Sequence, residues 1–217
     1  MIRHPAPSEL LLDYASGSLA EGPALLVATH LAYSEDARAD VAALEAAAGE
    51  LLTAMPGEAL DDDALARTLA RIEAAPAPAP AAQSKDGAAR IVGTAVPTPL
   101  RRYLPPDARW RPALGGIEEI ELPLGDRSYR ATLLRIGAGR GLPVHRHAGN
   151  EYTLVLAGGF ADGRERFDRG DICVADPAVE HKPVADADQP CVCLVVAEAP
   201  IVLTGLFGRL LNPFLKR

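Results

Sequence analysis

Three cysteines in 217 residues are too few, and odd in number, for a disulfide framework. Cys191 and Cys193 lie two apart on one apparent strand, so they share a face and read as small apolar residues. Long apolar runs are missing as well. The longest, residues 201–215, is interrupted by Arg209 and Pro213, and no secretory hydrophobic region follows Met1. A membrane span is therefore not expected, and a cytoplasmic protein is. Basic charge is nearly missing from the first third. Residues 1–75 carry four Arg against thirteen Asp or Glu, a net of −9, whereas the remainder carries eighteen Lys or Arg against sixteen acids, a net of +2. A surface of that sign repels nucleic acid and attracts a basic protein, including one that itself binds DNA. Simple solvation of acidic helices accounts for the same charge equally well. Internal repeats are absent.

What is present is a selective placement of five histidines: His145, His147 and His181 with Glu151 in the C-terminal half, and His4 and His30 near the start. On an extended strand alternate side chains share a face, so His145 and His147 project together with Cβ atoms about 7 Å apart. The turn residues Ala148, Gly149 and Asn150 return the chain, and Glu151 opens the next strand. Residues 167–175 make a second hairpin that leads to His181, which is expected to reach the same ion from across a barrel. Three neutral imidazoles and a carboxylate suit zinc, iron(II), manganese, nickel or copper without choosing among them. One divalent metal is expected, zinc first, with iron, manganese or nickel as alternatives.

Composition divides the chain. Residues 1–75 are rich in Ala and Leu with helical periodicity: Ser8 caps a first helix, a second runs from Pro23 to about His30, and Ser34 followed by Glu35 and Asp36 starts a third carrying Leu44, Leu51 and Leu52. A last helix begins at Asp61 to Asp63, with Leu65, Leu69 and Ile72 as its apolar stripe. Residues 76–99 open on alternating Pro and Ala, carry Pro97 and Pro99 at their end, and read as an extended linker. Residues 100–200 read as strands at 117–122, 129–136, 144–147, 152–156, 171–175 and 191–197. Residues 201–217 form a tail. The fold class is thus multidomain, a small all-α bundle followed by an all-β barrel or jelly roll.

The spacing Gly139-x5-His145-x-His147-x3-Glu151-x6-Gly158, with Gly170 and then His181 eleven residues later, resembles the two-part motif of the cupin superfamily. With the helical first module and the proline-rich spacer, the whole chain resembles the ChrR-type anti-sigma factors. That resemblance implies that residues 1–75 clasp an extracytoplasmic-function sigma factor and keep it from RNA polymerase. It also implies that the cupin domain answers singlet oxygen and related oxidants. It implies zinc in the first module too, held by two histidines and two cysteines. His4 and His30 match the histidines, but the cysteine positions hold Ser34 and Ala37, so no tight metal is expected there and both histidines take a structural reading.

An alternative is a cupin dioxygenase acting on a small organic substrate, since such a site on iron(II) leaves positions open for substrate and oxygen. Asp176, Glu180 and Tyr152 are its only nearby acid and base candidates. An enzyme is the less favoured reading. No direct nucleic-acid or membrane partner is expected, and pairing of barrel edge strands leaves a homodimer open.

Overall fold

The computed structural model describes residues 2–76, 96–113 and 116–204. Most of the expected linker, and residues 205–217 of the expected tail, lie outside the described residues. Helices come first: α1 (Ser8–Ala15), α2 (Glu21–His30), α3 (Glu35–Thr53), α4 (Ala64–Ala74) and the short α5 (Thr98–Arg101). Strands follow: β1 (Arg111–Pro112), β2 (Glu118–Leu122), β3 (Arg130–Ile136), β4 (His145–His147), β5 (Glu151–Ala157), β6 (Gly159–Ala161), β7 (Arg166–Asp168), β8 (Ile172–Ala175), β9 (Glu180–His181), β10 (Val184–Ala185), β11 (Cys191–Ala197) and β12 (Ile201–Leu203). They form a six-stranded sheet ordered β1-β2-β3-β11-β5-β8 and two three-stranded sheets, β10-β6-β7 and β12-β4-β9.

The large sheet is covered on both faces, which explains why β11 and the second half of β5, from Leu154, are apolar and do not alternate. Leu133, Leu154, Leu156, Val192, Leu194 and Val196 face the helices and share one core with Leu10, Leu25, Leu26, Val41 and Leu100. Ile136, Val155, Cys173, Cys191 and Cys193 face inward and share a second core with Phe160 and Phe167. Helix α2 lies on β11 and β5. It is buried nearly all round, as befits a helix between a bundle and a sheet. Gly22 permits that approach, since a Cβ there would come within 2.9 Å of both Tyr129 Cβ and Val196 Cγ1.

Local signals set the helix starts with two differences from expectation. Ser34 does cap α3, its hydroxyl accepting from Ala37 N at 3.1 Å. Ser8, however, is the first helical residue; Pro7 occupies the cap position and no side chain caps the end. Helix α2 begins at Glu21, two residues before Pro23. Glu21 is drawn out by the barrel, its carboxylate accepting from Gly125 N, from Asp126 N at 3.1 Å and from the Tyr103 hydroxyl at 3.0 Å.

The N-terminal histidines join the helices to the barrel. His30 is fully buried. Its Nδ1–H donates to the Gly170 carbonyl at 3.0 Å, and its Nε2 accepts from Ala6 N at 3.3 Å, so both ring nitrogens are used in the neutral form that burial favours. Gly170 sits at φ +93°, a conformation glycine adopts without strain. Beside it the Asp171 carboxylate accepts from Arg3 N and His4 N, Ile172 N donates to the His4 carbonyl, and the His4 ring packs on Phe167. His30→Ala leaves a cavity, an orphaned Gly170 carbonyl and an orphaned Ala6 N–H, so the chain should lose about 3 kcal/mol of stability. Urea unfolding measures this, and a loss under 1 kcal/mol would mean the contact is incidental.

Helix α4 has no buried residue. Its stripe stands in solvent, with Leu65 71 %, Leu69 50 % and Ile72 64 % exposed, and Leu51, Leu52, Met55 and Leu60 are exposed before it. The apolar periodicity at the end of α3 and along α4 therefore marks a surface and not a core.

Candidate metal centre

Strand alternation points His145 and His147 inward together while Arg146 faces out. His181 reaches them from β9, which pairs directly with β4 and sets His181 opposite His145. The expected reach from across the barrel is thus corrected: the third imidazole comes from the neighbouring strand. All three rings are buried. His181 Nε2 lies 3.0 Å from His147 Nε2 and 3.1 Å from His145 Nε2.

These nitrogens are lone-pair donors facing one another. The Nδ1–H of His145 donates to the Pro143 carbonyl at 2.8 Å, which leaves its Nε2 as a bare acceptor. Burial lowers the pKa of His145, takes His147 down to about 3 and takes His181 down to about 4, the neighbouring imidazoles adding to the last two. Neutral imidazoles at these separations can pass an N–H to a neighbouring ring nitrogen, whereas a divalent cation at the centre would take all three lone pairs at once. Their spacing is close to the ~3.3 Å expected between nitrogens ~2.0–2.1 Å from one tetrahedral ion. The donor set fits a divalent metal.

Glu151 stands on the wall of the same cavity, but on the other side of His147: its carboxylate is 3.3 Å from His147 Nδ1. The residues that meet at one point are His145, His147 and His181, with Glu151 next to them. Burial raises the Glu151 carboxyl to about 7.

Sequence reasoning missed Asp162. Buried on the far side of His181, its carboxylate lies 3.8 Å from His181 Nδ1. Burial opposes its charge, but donors from Glu165 N and from the backbone and guanidinium of Arg164 outweigh that and hold its pKa below the usual range. No spacing rule joins Asp162 to His181; the pairing of β6 with β10, continued by Lys182 N donating to the Asp162 carbonyl, brings them together. A second cluster of Asp162, Cys173 and His181 also converges. It is the poorer metal site, because burial pushes the Cys173 thiol up to about 12 and the thiolate is the ligand form.

Among its described residues the first module offers no comparable site. The nitrogens of His30 are both engaged, Ser34 Oγ caps a helix, Ala37 has no donor atom, and His4 Nε2 lies 3.2 Å from the Arg166 carbonyl. These residues do not fit a zinc ion.

A cavity of about 400 Å³ adjoins His145 and His181; Glu151, Thr153, Glu119, Arg130 and Glu198 line it together with apolar residues that include Leu134, Ile136, Leu142, Phe160 and Val195. The acid and base candidates do not reach it. Tyr152 packs with the helix-side core, Glu180 is exposed beside buried His181 on β9, and Asp176 caps the turn at Ala178 N.

Residues 103–200 match a family model described as the ChrR cupin-like domain. Over 219 aligned residues the chain is 38% identical to the anti-sigma-E factor ChrR of Cereibacter sphaeroides, covering 99% of each. Among solved structures it is similar to the crystal structure of Rhodobacter sphaeroides SigE in complex with the anti-sigma ChrR. That match has 38% identity and a TM-score of 0.73, over 91% of this chain and 99% of that one.

Proposed function

The chain belongs to the ChrR family of anti-sigma factors, and from that premise we propose that it sequesters an extracytoplasmic-function sigma factor and releases it when oxidants such as singlet oxygen reach the barrel. The observation that carries this reading is likeness over the full length, helices and barrel together, to a protein solved in complex with its sigma factor. The exposed stripe of Leu65, Leu69 and Ile72 supplies the apolar surface such a clasp needs, on the helical segment of net charge −9 that favours a basic partner. Because its partner works on RNA polymerase, the protein acts in the cytoplasm. No helix among the described residues is long and apolar enough to cross a membrane. Co-expression with the extracytoplasmic-function sigma factors of the same cell, followed by affinity capture, tests the reading. Capture at one to one is expected, and a chain that emerges alone sinks it.

Within the same proposal His145, His147 and His181 hold zinc, with Glu151 turning in from its place beside His147 Nδ1 as the fourth donor and Asp162 orienting His181 from behind. The ion would cross-link β4, β9 and β5. Those strands belong to two sheets, so what happens at the ion bears on the sheet against which α2 rests. His145→Ala should remove one equivalent of metal by elemental analysis, and deletion of residues 1–75 should remove none. Asp162→Asn should weaken retention against a chelator about tenfold or more. If wild type holds two equivalents and the deletion holds one, the first module binds metal after all.

A further inference from the structure

We propose that Met55 is an oxidation site on the surface that docks the sigma factor: an organic hydroperoxide converts its thioether to the sulfoxide in the released chain and so holds off recapture; this rests on the sigma-binding reading above. It places an oxidant-sensitive group in the helical module, apart from the barrel. Sulfur is scarce in the sequence and, among the described residues, mostly hidden. Cys173, Cys191 and Cys193 are all buried in the inner core, out of reach of a bulky hydroperoxide. Of the two methionines, Met1 lies outside the described residues and Met55 is 65 % exposed. Oxidation follows exposure, so the Met55 thioether is the sulfur that a hydroperoxide in solution meets first.

Its position gives that reaction a consequence. Met55 N donates to the Leu52 carbonyl at 3.2 Å and carries the helical path past the end of α3. Side chains three and four residues apart on such a path are neighbours, so Met55 stands beside Leu52 and Leu51, both exposed, just ahead of the α4 stripe. Methionine is enriched in the cores of protein interfaces, where its unbranched, polarizable chain adapts to a partner. In the reaction the sulfur lone pair attacks the terminal oxygen of the hydroperoxide. An S–O bond forms as the O–O bond breaks, sulfur gives up two electrons, and the alkoxide keeps the hydroperoxide proton and leaves as the alcohol. The sulfoxide is polar where the docking face is apolar, and covering its oxygen without a donor is costly. In the complex the sigma factor covers Met55, so oxidation falls on the chain after release. Recapture then waits on the reduction of the sulfoxide.

The test starts from the zinc-loaded full chain, free of sigma factor, treated with tert-butyl hydroperoxide and then freed of oxidant. Peptide mass spectrometry should find one oxygen added at Met55 ahead of any cysteine. In titration calorimetry with the purified sigma factor, treated wild type should bind at least about tenfold more weakly than treated Met55→Leu, a comparison that cancels any effect of the oxidant on the barrel. Methionine sulfoxide reductases of both stereochemical types should bring the treated wild type back to the affinity of treated Met55→Leu. Equal affinity of the two treated proteins overturns the proposal, as does a difference that the reductases leave in place, or a cysteine modified ahead of Met55. An untreated chain that binds no sigma factor removes the regulator and this site together, whereas tight untreated binding with no difference after treatment counts against this site alone.

Discussion

Replacing Leu65, Leu69 and Ile72 together by glutamine will weaken binding of the sigma factor by about a thousandfold while leaving the free chain's urea midpoint unchanged. In the free chain all three are at least half exposed, so their removal deletes little internal contact. Surface changes of that kind move stability by less than about 0.5 kcal/mol. Glutamine keeps the helix propensity close to that of leucine, so α4 persists. In a complex each side chain buried against a partner contributes about 1.5–3 kcal/mol, and even with non-additive losses three of them amount to about 4 kcal/mol, a thousandfold in affinity. Titration calorimetry with the purified sigma factor reads the loss, and circular dichroism confirms the helix. Affinity within tenfold of wild type would move the docking surface off α4.

Acid will unfold the metal-free protein through its histidines. In the folded chain burial holds His30 and His145 below their ordinary value of 6.5, with His147 down to about 3 and His181 down to about 4. Between those values and 6.5 the unfolded chain binds more protons, so the stability present above pH 6.5 is lost as pH falls, up to about 1.4 kcal/mol per pH unit for each histidine. Below the folded values the slope vanishes. Glu151 runs the other way: with its carboxyl raised to about 7, the folded chain binds the extra proton between pH 4.5 and 7, which offsets one histidine over that window. His147 and His181 together exceed that offset by about one group, roughly 1.4 kcal/mol per pH unit between pH 6.5 and 5, and His30 and His145 add in the same direction. Urea midpoints in chelator at pH 7.5 and 5.5 should differ sharply, and bound zinc should shrink the difference by favouring the deprotonated imidazoles. Equal midpoints without metal would mean that the imidazoles are not neutral in the folded state.

Much of the barrel was legible because strand alternation is a local property. The expected strand at 191–197 coincides with β11, and those at 117–122 and 129–136 differ from β2 and β3 by one residue at the start. The grouping of His145 with His147 followed from the same period of two. His181 was named but its route was not, because nothing in the intervening residues says that β9 pairs with β4. Asp162 was invisible for the same reason. Glu151 was read as a member of the cluster, and the fold sets it beside His147 Nδ1, a placement that depends on the bend between β4 and β5.

By itself the sequence determined the four helices before the linker and the longer strands, which side chains share a strand face, and that a nitrogen-rich metal site was on offer, since all of these depend on neighbours a few residues away; short strands such as β6, β9 and β10 were not legible. Tertiary structure decided what each apolar stripe meets. Leu25 and Leu26 on α2 are in a core, while Leu65 and Leu69 on α4 are at a surface, although both pairs lie in apolar helical patterns. It likewise decided that His30 donates to Gly170, 140 residues away, and that one sheet serves helices on one face and a cavity on the other. Periodicity states that a face must be covered; only the folded topology supplies what covers it.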